Sequence, residues 1–182
     1  MCIGRVQIML GKFYPYEYAP DVYSINYDRL YDQGFRGIVF DIDNTLVHHG
    51  DSSNQKTDEF ITGLQRKGFK ILLLTDNDEE RVLRFTKNID TPYICDAGKP
   101  SPDGFLKALD KIELPAEKVV CIGDQIFKDI LGANRAGIPN ILVHFITALG
   151  EKKIGKRRYL EFLILFLYRH DKKSVHRLGD IL

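Results

Sequence analysis

Two segments of this 182-residue chain place carboxylates directly after an apolar run. Asp41 and Asp43 follow GIVF, and Asp124 follows VVCIG, with Asp129 five residues further on. Asp41 and Asp43 are two residues apart, so in extended backbone their side chains point the same way. Carboxylates about 4 Å apart repel each other by roughly 4 kcal/mol per pair at an effective dielectric near 20. We therefore expect a cation among them, and an all-oxygen ligand set suits Mg²⁺.

Three further polar residues follow predicted strands. Thr75 and Asn77 come after KILLL, and Lys99 precedes a proline further along the chain. Ligands in open α/β sheets collect at the carboxyl ends of the strands, so these groups are expected to meet. A carboxylate nucleophile, a second carboxyl, a hydroxyl, a lysine and Mg²⁺ are suited to phosphoryl transfer. Attack by aspartate on phosphorus would form an aspartyl-phosphate, while Mg²⁺ and Lys99 would neutralise the transferring oxygens.

The elements that must position these groups are predicted from hydrophobic pattern. Five short, mostly continuous apolar runs are typical of parallel strands covered on both faces: Gly37–Asp41, Phe69–Thr75, Pro92–Cys95, Lys118–Gly123 and Asn140–Val143. Helical segments alternate with them: Asn54–Lys67, Asp78–Lys87 after an N-cap at Asn77, Ser101–Asp110, and Gln125–Ala136 before Gly137. This alternation predicts an α/β fold, a Rossmann-like, doubly wound parallel sheet of about five strands.

Two flanks differ from this core. Residues 12–31 hold six of the nine tyrosines, which suits either a wet interfacial belt or packing against the sheet edge. Residues 1–150 carry a net charge of −4 and residues 151–182 one of +5. We therefore predict a catalytic domain over 1–150, including the tyrosine-rich flank. Residues 151–182 are predicted to be a basic and apolar helical extension packed on the same domain.

The order of these motifs resembles a known superfamily. DIDNTL, a threonine after the next strand, KP and GDQIFKD are similar to motifs I to IV of the haloacid dehalogenase (HAD) superfamily of phosphohydrolases. The runs RGIVFDIDNTLV and GDQIFKDILGANRAG resemble its bacterial YqeG-like group, which is related to the phosphatidylglycerophosphate phosphatases of mitochondria. The match spans residues 36–143. The second motif reads Thr-Asp-Asn, whereas that group has Ser-Asn-Asn, so Asp76 is a departure.

The resemblance implies a role for each site residue. Asp41 is then the nucleophile and a Mg²⁺ ligand. Asp43 is the general acid/base and offers its backbone carbonyl to Mg²⁺. Thr75, Asn77 and Lys99 bind the phosphoryl group. Asp124 ligates Mg²⁺, and Asp129 is its neighbour or a further ligand.

The spacing of the motifs leaves no room for a lid domain. Residues 47–70 fit one loop and one helix, and residues 78–98 fit one helix and one strand. An open, capless site admits a bulky phosphorylated substrate, and the resemblance favours the headgroup phosphate of phosphatidylglycerophosphate. Nucleotide, sugar and phosphoprotein substrates are the alternatives, as is a binding protein that uses the scaffold and its basic tail for RNA or a protein partner.

The C-terminal extension has a basic–apolar–basic order, with the apolar run at residues 159–168. That order is typical of peripheral contact with a membrane surface. A run that is apolar nearly all round also suits burial in the fold or a homo-oligomer interface.

Composition narrows the remaining classes. The overall net charge of +1, without a recognition motif, argues against a nucleic-acid binder. Three cysteines without a C-x-x-C pair, and no recognisable signal peptide at Met1–Leu10, indicate a cytoplasmic protein. Cys95 and Cys121 are expected to be buried, and His48 and His49 to lie on a loop at the rim of the site.

Overall fold

The chain forms a single parallel sheet in the computed structural model, which describes residues 10–147 and 155–182. Its strands are β1 Glu17–Ala19, β2 Gly37–Phe40, β3 Lys70–Leu74, β4 Tyr93–Ile94, β5 Val119–Gly123 and β6 Asn140–Val143. They are ordered β1-β6-β5-β2-β3-β4, and every pairing is parallel. The predicted α/β fold is confirmed, with six strands where about five were expected. Residues 1–9, which include Cys2, and residues 148–154, which include Lys152 and Lys153, lie outside the described residues.

Helices cover both faces of the sheet. They are α1 Tyr27–Asp32, α2 Gln55–Arg66, α3 Glu79–Phe85, α4 Pro102–Ile112, α5 Leu131–Arg135 and α6 Lys156–His170. Strand residues alternate between two apolar cores, as the two-residue period requires. Ile38 and Phe40 face the core built with α1, α2 and α3, whereas Val39 faces the core built with α4 and α5. No helix in the described ranges is both long and apolar enough to cross a bilayer.

The helix starts follow from side-chain caps, with one correction. Ser101 caps α4 with a proline in its first turn, as predicted, and Asn54 caps α2. The cap of α3 is Asp78 rather than the predicted Asn77. Asp78 Oδ1 accepts from the Arg81 N–H at 2.9 Å, whereas the Asn77 side-chain amide donates to Asp43 and Thr75 in the candidate site.

The helix predicted at Gln125–Ala136 is also different in detail. It begins as a π-helical turn at Ile126–Ile130, and only then continues as α5. The wider turn lets the Asp129 carboxylate accept from the Gln125 backbone N–H at 3.0 Å. Gly123 makes room for this carboxylate, since a Cβ there would lie 2.4 Å from Asp129 Cγ. Turns of this kind occur frequently at functional sites.

The tyrosine-rich flank packs on the edge of the sheet. It supplies β1, which pairs with β6 and was not predicted. Tyr27 and Tyr31 of α1 make edge-on ring contacts with Phe69. The C-terminal residues reach this flank, because the Asn26 N–H donates to the Ile181 carbonyl at 2.7 Å. Of the two described cysteines, Cys121 is buried as expected, but Cys95 is only half-buried.

Gly132 of α5 gives a direct test of how tightly the helices pack. A Cβ at this position would lie 2.2 Å from a ring carbon of Phe105 in α4. Overpacking costs about 1–3 kcal/mol, so we expect Gly132→Ala to lower the free energy of unfolding by that amount. Gly63 of α2 is the matched control, because no atom lies within 4 Å of its added Cβ. Gly63→Ala should raise stability by up to about 1 kcal/mol. Urea denaturation measures both, and a Gly132→Ala protein as stable as wild type would contradict the packing.

Candidate active site

The site lies where the strand order reverses. The chain passes from β2 to β3 on one side, while β5 pairs with β2 on the other. Crevices of open α/β sheets form at the carboxyl ends of the strands beside such a point. Asp41 follows β2 and Asp124 follows β5, so adjacent strands bring the two carboxylates to the same edge of the sheet. The crevice that Asp41 lines is small, about 90 Å³, and Asp124 lines a neighbouring pocket with Arg158.

Asp41 is held by two donors. Lys99 Nζ donates to Asp41 Oδ1 at 2.6 Å, and Thr45 Oγ1 donates to Asp41 Oδ2 at 3.1 Å. Thr45 can reach back because the chain turns tightly after β2, with the N–H groups of Thr45 and Leu46 bonded to the Ile42 carbonyl. Burial raises the pKa of Asp41, and Lys99 partly opposes this effect.

Lys99 bridges two carboxylates. Its side chain is 3% exposed, and Nζ also donates to Asp129 Oδ1 at 2.7 Å and to the Leu74 carbonyl at 3.1 Å. Burial alone would lower the pKa of Lys99, but the carboxylates of Asp129 and Asp41 outweigh it and raise the pKa well above its usual value. The lysine is therefore a fixed positive charge.

Asp124 is paired with a residue from the C-terminal extension. Arg158 of α6 donates to the Asp124 carboxylate and, at 2.6 Å, to the Asp124 backbone carbonyl. The same guanidinium bonds Glu161 Oε2 at 2.8 Å. Burial and the carboxylates of Asp41 and Asp129 raise the pKa of Asp124, with Arg158 opposing them.

These carboxylates fit a divalent metal ion. Oxygen atoms of Asp41, Asp124 and Asp129 all lie within 4.8 Å of one another, and the three residues are buried. With Glu161, four carboxylates face two cations, Lys99 and Arg158. If all are ionised, two negative charges are uncompensated, and a divalent cation would neutralise them. An oxygen-only set is the kind that hard divalent cations take.

Asp43 has a different environment. Asp43 Oδ1 accepts from Arg81 Nη2 at 2.8 Å and from the Gly50 N–H at 3.0 Å, and Oδ2 accepts from Asn77 Nδ2 at 2.5 Å. Burial would raise the pKa of Asp43, but the hydrogen bonds from Gly50, Arg81 and Asn77 outweigh it and lower the pKa. Asp43 is thus held as a carboxylate, the form that can accept a proton.

The opposite wall of the crevice comes from the end of β3. Thr75 Oγ1 accepts from the Asn77 side-chain amide at 2.7 Å and lines the crevice. Asp76, the departure noted in the sequence, accepts from the Lys99 N–H and pairs with Lys128 at 2.8 Å. Its charge is therefore compensated locally. His49 is at the rim, 3.6 Å from Asp43 Oδ2.

All seven predicted site residues lie at this edge of the sheet: Asp41, Asp43, Thr75, Asn77, Lys99, Asp124 and Asp129. Only the Asp43 carboxylate stands apart from the three-carboxylate group. Sequence reasoning did not single out Thr45, which donates to Asp41, and it missed three charged residues: Arg81, Arg158 and Glu161. Each is buried or half-buried and charged, but charge pattern alone does not distinguish such residues from a solvated helix face.

No lid covers the crevice within residues 10–147 and 155–182. Between β2 and β3 the chain forms only a loop and α2, and between β3 and β4 only α3 and a short 3₁₀ turn. The crevice is therefore open to solvent, as the motif spacing predicts.

Comparison with known sequences identifies relatives. The haloacid dehalogenase-like hydrolase family matches residues 51–137. The chain is 35% identical over 137 residues to the probable phosphatase YqeG of Bacillus subtilis, covering 74% of this chain and 80% of that protein. It is 25% identical over 162 residues to the chloroplastic phosphatidylglycerophosphate phosphatase 1 of Chlamydomonas reinhardtii, covering 82% of this chain and 60% of that one.

Solved structures share the fold. NagD from E. coli K-12 aligns with a TM-score of 0.52 at 15% identity, over 66% of this chain and 94% of its own. An uncharacterized protein from Listeria monocytogenes serotype 4b aligns with a TM-score of 0.51 at 18% identity, over 72% of this chain and 99% of its own. At these identities the likeness concerns architecture alone.

Proposed function

Because the chain belongs to the haloacid dehalogenase-like hydrolases and is a phosphatase of that family, we propose that it hydrolyses phosphomonoesters with Mg²⁺ through a phosphoryl group carried on Asp41. The observation that carries the proposal is the Asp41 carboxylate, which Lys99 and Thr45 hold in place. Both of its oxygens have defined donors, so the carboxylate is oriented before substrate arrives. Positioning of this kind is a large part of catalysis in phosphoryl transfer.

In the first proposed step, an Asp41 oxygen attacks phosphorus as the bond to the leaving oxygen breaks. Lys99, Thr75 and Asn77 bind the phosphoryl oxygens. The Asp43 carboxyl gives a proton to the leaving group in this step, and its carboxylate then takes one from the water that hydrolyses the aspartyl-phosphate. Asp43 is held ionised in the free protein, so it must take up a proton as the substrate binds before it can protonate the leaving group; the first step returns it to the ionised form that the second step uses.

We assign the metal to Asp41, Asp124 and Asp129, with the backbone carbonyl of Asp43 that the family resemblance implies. Bound there, Mg²⁺ would neutralise charge on the transferring oxygens. Lys99 would still be needed to reduce the repulsion between the Asp41 and Asp129 carboxylates, since its ammonium group bonds both.

For the substrate we propose a phospholipid headgroup phosphate, phosphatidylglycerophosphate. Two observations support this substrate. One relative is a phosphatidylglycerophosphate phosphatase, and no lid closes the crevice in the described residues. Nucleotide, sugar and phosphoprotein phosphates are the competing substrates. A pure binding role is disfavoured because the catalytic set Asp41, Asp43, Thr75 and Lys99 is complete.

We further propose that residues 1–150 and 151–182 act as one catalytic unit in the cytoplasm, peripheral to the membrane. Support comes from Arg158, which brings the extension into the site by bonding Asp124. Cys95 and Cys121 are free thiols, in keeping with a reducing compartment.

The test measures phosphate release from phosphatidylglycerophosphate in mixed micelles and from an aryl phosphate, a nucleoside monophosphate and a sugar phosphate. For every substrate that is hydrolysed, we expect phosphate release to stop when a chelator is added and to return when Mg²⁺ is added. The lipid should give the highest kcat/KM. Release that persists in the chelator contradicts the metal, and preference for a soluble substrate contradicts the lipid.

A further inference from the structure

Helix α6 presents its apolar side to solvent. Six large apolar residues of the helix are between 38% and 65% exposed: Tyr159, Leu160, Phe162, Leu163, Phe166 and Leu167. The side that contacts the domain buries Glu161, Ile164 and Tyr168. Most helices on a soluble domain have the reverse arrangement, with apolar residues inward. Contiguous exposed apolar surface of this kind marks an interaction site.

The exposed residues form one continuous stripe, which we call the apolar face of α6. Tyr159, Leu163 and Phe166 are spaced four and three residues apart, so they lie one above another. The remaining three flank them. The sequence expectation that this apolar run is buried therefore describes one side of the helix only.

Basic residues border the apolar face at both ends. Lys156 and Arg157 precede it, and Arg169, Lys172 and Lys173 follow it, all exposed. The acidic residues of this stretch are fewer than the basic ones. Glu161 is buried and paired with Arg158, which leaves Asp171 as one carboxylate beside the five exposed basic residues. The charge around the face is thus positive, and it complements an anionic surface.

We propose that the apolar face of α6 lies in the headgroup region of an anionic lipid bilayer, with the basic residues on the lipid phosphates. A helix with an apolar face and cationic ends binds the bilayer surface in this way. An anionic bilayer is favoured over a second copy of the chain, because pairing two such faces would bring like charges together.

The same helix reaches the candidate active site from its other side. Arg158 bonds Asp124, so the metal-binding carboxylates lie about one helix diameter, roughly 10 Å, from the proposed membrane surface. That position suits a headgroup phosphate as substrate. The inference deepens the proposed lipid substrate and rests on it, but docking is measured by binding, so the two can fail separately.

The experiment is sedimentation of the full chain with vesicles of phosphatidylcholine alone or of phosphatidylcholine and phosphatidylglycerol in equal parts. We expect at least about tenfold stronger binding to the anionic vesicles, weakened by salt. Leu163→Glu should lower that binding about tenfold or more. Leu83→Glu is the matched control, because Leu163 and Leu83 are each 54% exposed and Leu83 is on α3.

Two double variants test the contribution of the basic residues to membrane binding. Lys172→Gln with Lys173→Gln should weaken binding to anionic vesicles, whereas Lys87→Gln with Lys107→Gln, also exposed lysines, should not. Leu163→Glu should keep wild-type turnover of a soluble aryl phosphate. Three results would overturn the proposal: equal binding to both vesicles, no binding to either, or a dimer in solution that Leu163→Glu dissociates. If the wild-type protein does not hydrolyse the aryl phosphate at all, the proposed function is refuted instead.

Discussion

Asp41→Asn is expected to reduce phosphate release by about four orders of magnitude or more, the scale seen when an enzyme loses its nucleophile. The amide has the same shape as the carboxylate but cannot attack phosphorus. The fold should persist, because Lys99 keeps its bonds to Asp129 and to the Leu74 carbonyl. The substitution also removes one of three crowded buried carboxylates, which relieves repulsion on Asp124 and Asp129.

The measurement is steady-state release of phosphate from an aryl phosphate, together with acid quenching to trap a phosphoryl-protein. Wild type should give an acid-stable, alkali-labile phosphoryl group, and Asp41→Asn should give none. Asp110→Asn makes the same substitution at an exposed position of α4 and should keep wild-type activity. Turnover by Asp41→Asn within tenfold of wild type would remove Asp41 from the role of nucleophile.

Lys99→Met is expected to lower kcat/KM by about 10²- to 10³-fold near neutral pH, as loss of one electrostatic stabiliser does. It should also move the acidic limb of the pH–rate profile. Burial already raises the pKa of Asp41, and Lys99 works against that rise. Without the lysine, Asp41 holds its proton to higher pH. Since only the ionised carboxylate attacks, the rate should begin to rise at a more alkaline pH than in wild type.

The shift of the profile distinguishes this role from a purely structural one. Lys107→Met, at an exposed position of α4, should change neither kcat/KM nor the profile. A Lys99→Met enzyme that is slower at every pH by one constant factor would show that the lysine does not set the ionisation of Asp41.

The strand ends were predictable because two local signals coincide there. Continuous apolar runs identify buried parallel strands, and each run here is followed within a few residues by a polar group. Asp41, Thr75 and Asp124 were therefore found without knowledge of the strand order. Parallel strands point their carboxyl ends to one edge, so proximity followed from topology.

The remaining residues were hidden because their partners are distant in sequence. Arg81 bonds Asp43, 38 residues away, and Arg158 bonds Asp124, 34 residues away. Neither belongs to a motif, and a basic residue on a helix is usually solvated.

The exposed side of α6 was not predictable either, because an apolar run without strong periodicity does not reveal which side of a helix will be covered. The three-residue strand β1 is too short for its pattern to register.

The bond between Arg158 and Asp124 also sets the order in which the enzyme is completed during translation. All six strands precede α6 in the chain, so Asp124 leaves the ribosome before Arg158 does. Any nascent chain that ends before residue 158 lacks the guanidinium partner of Asp124. Domains fold as the ribosome releases them, from the N-terminus onward. The ion pair at the candidate active site therefore depends on a residue made late in synthesis, and a chain released before that residue carries the site carboxylates without Arg158.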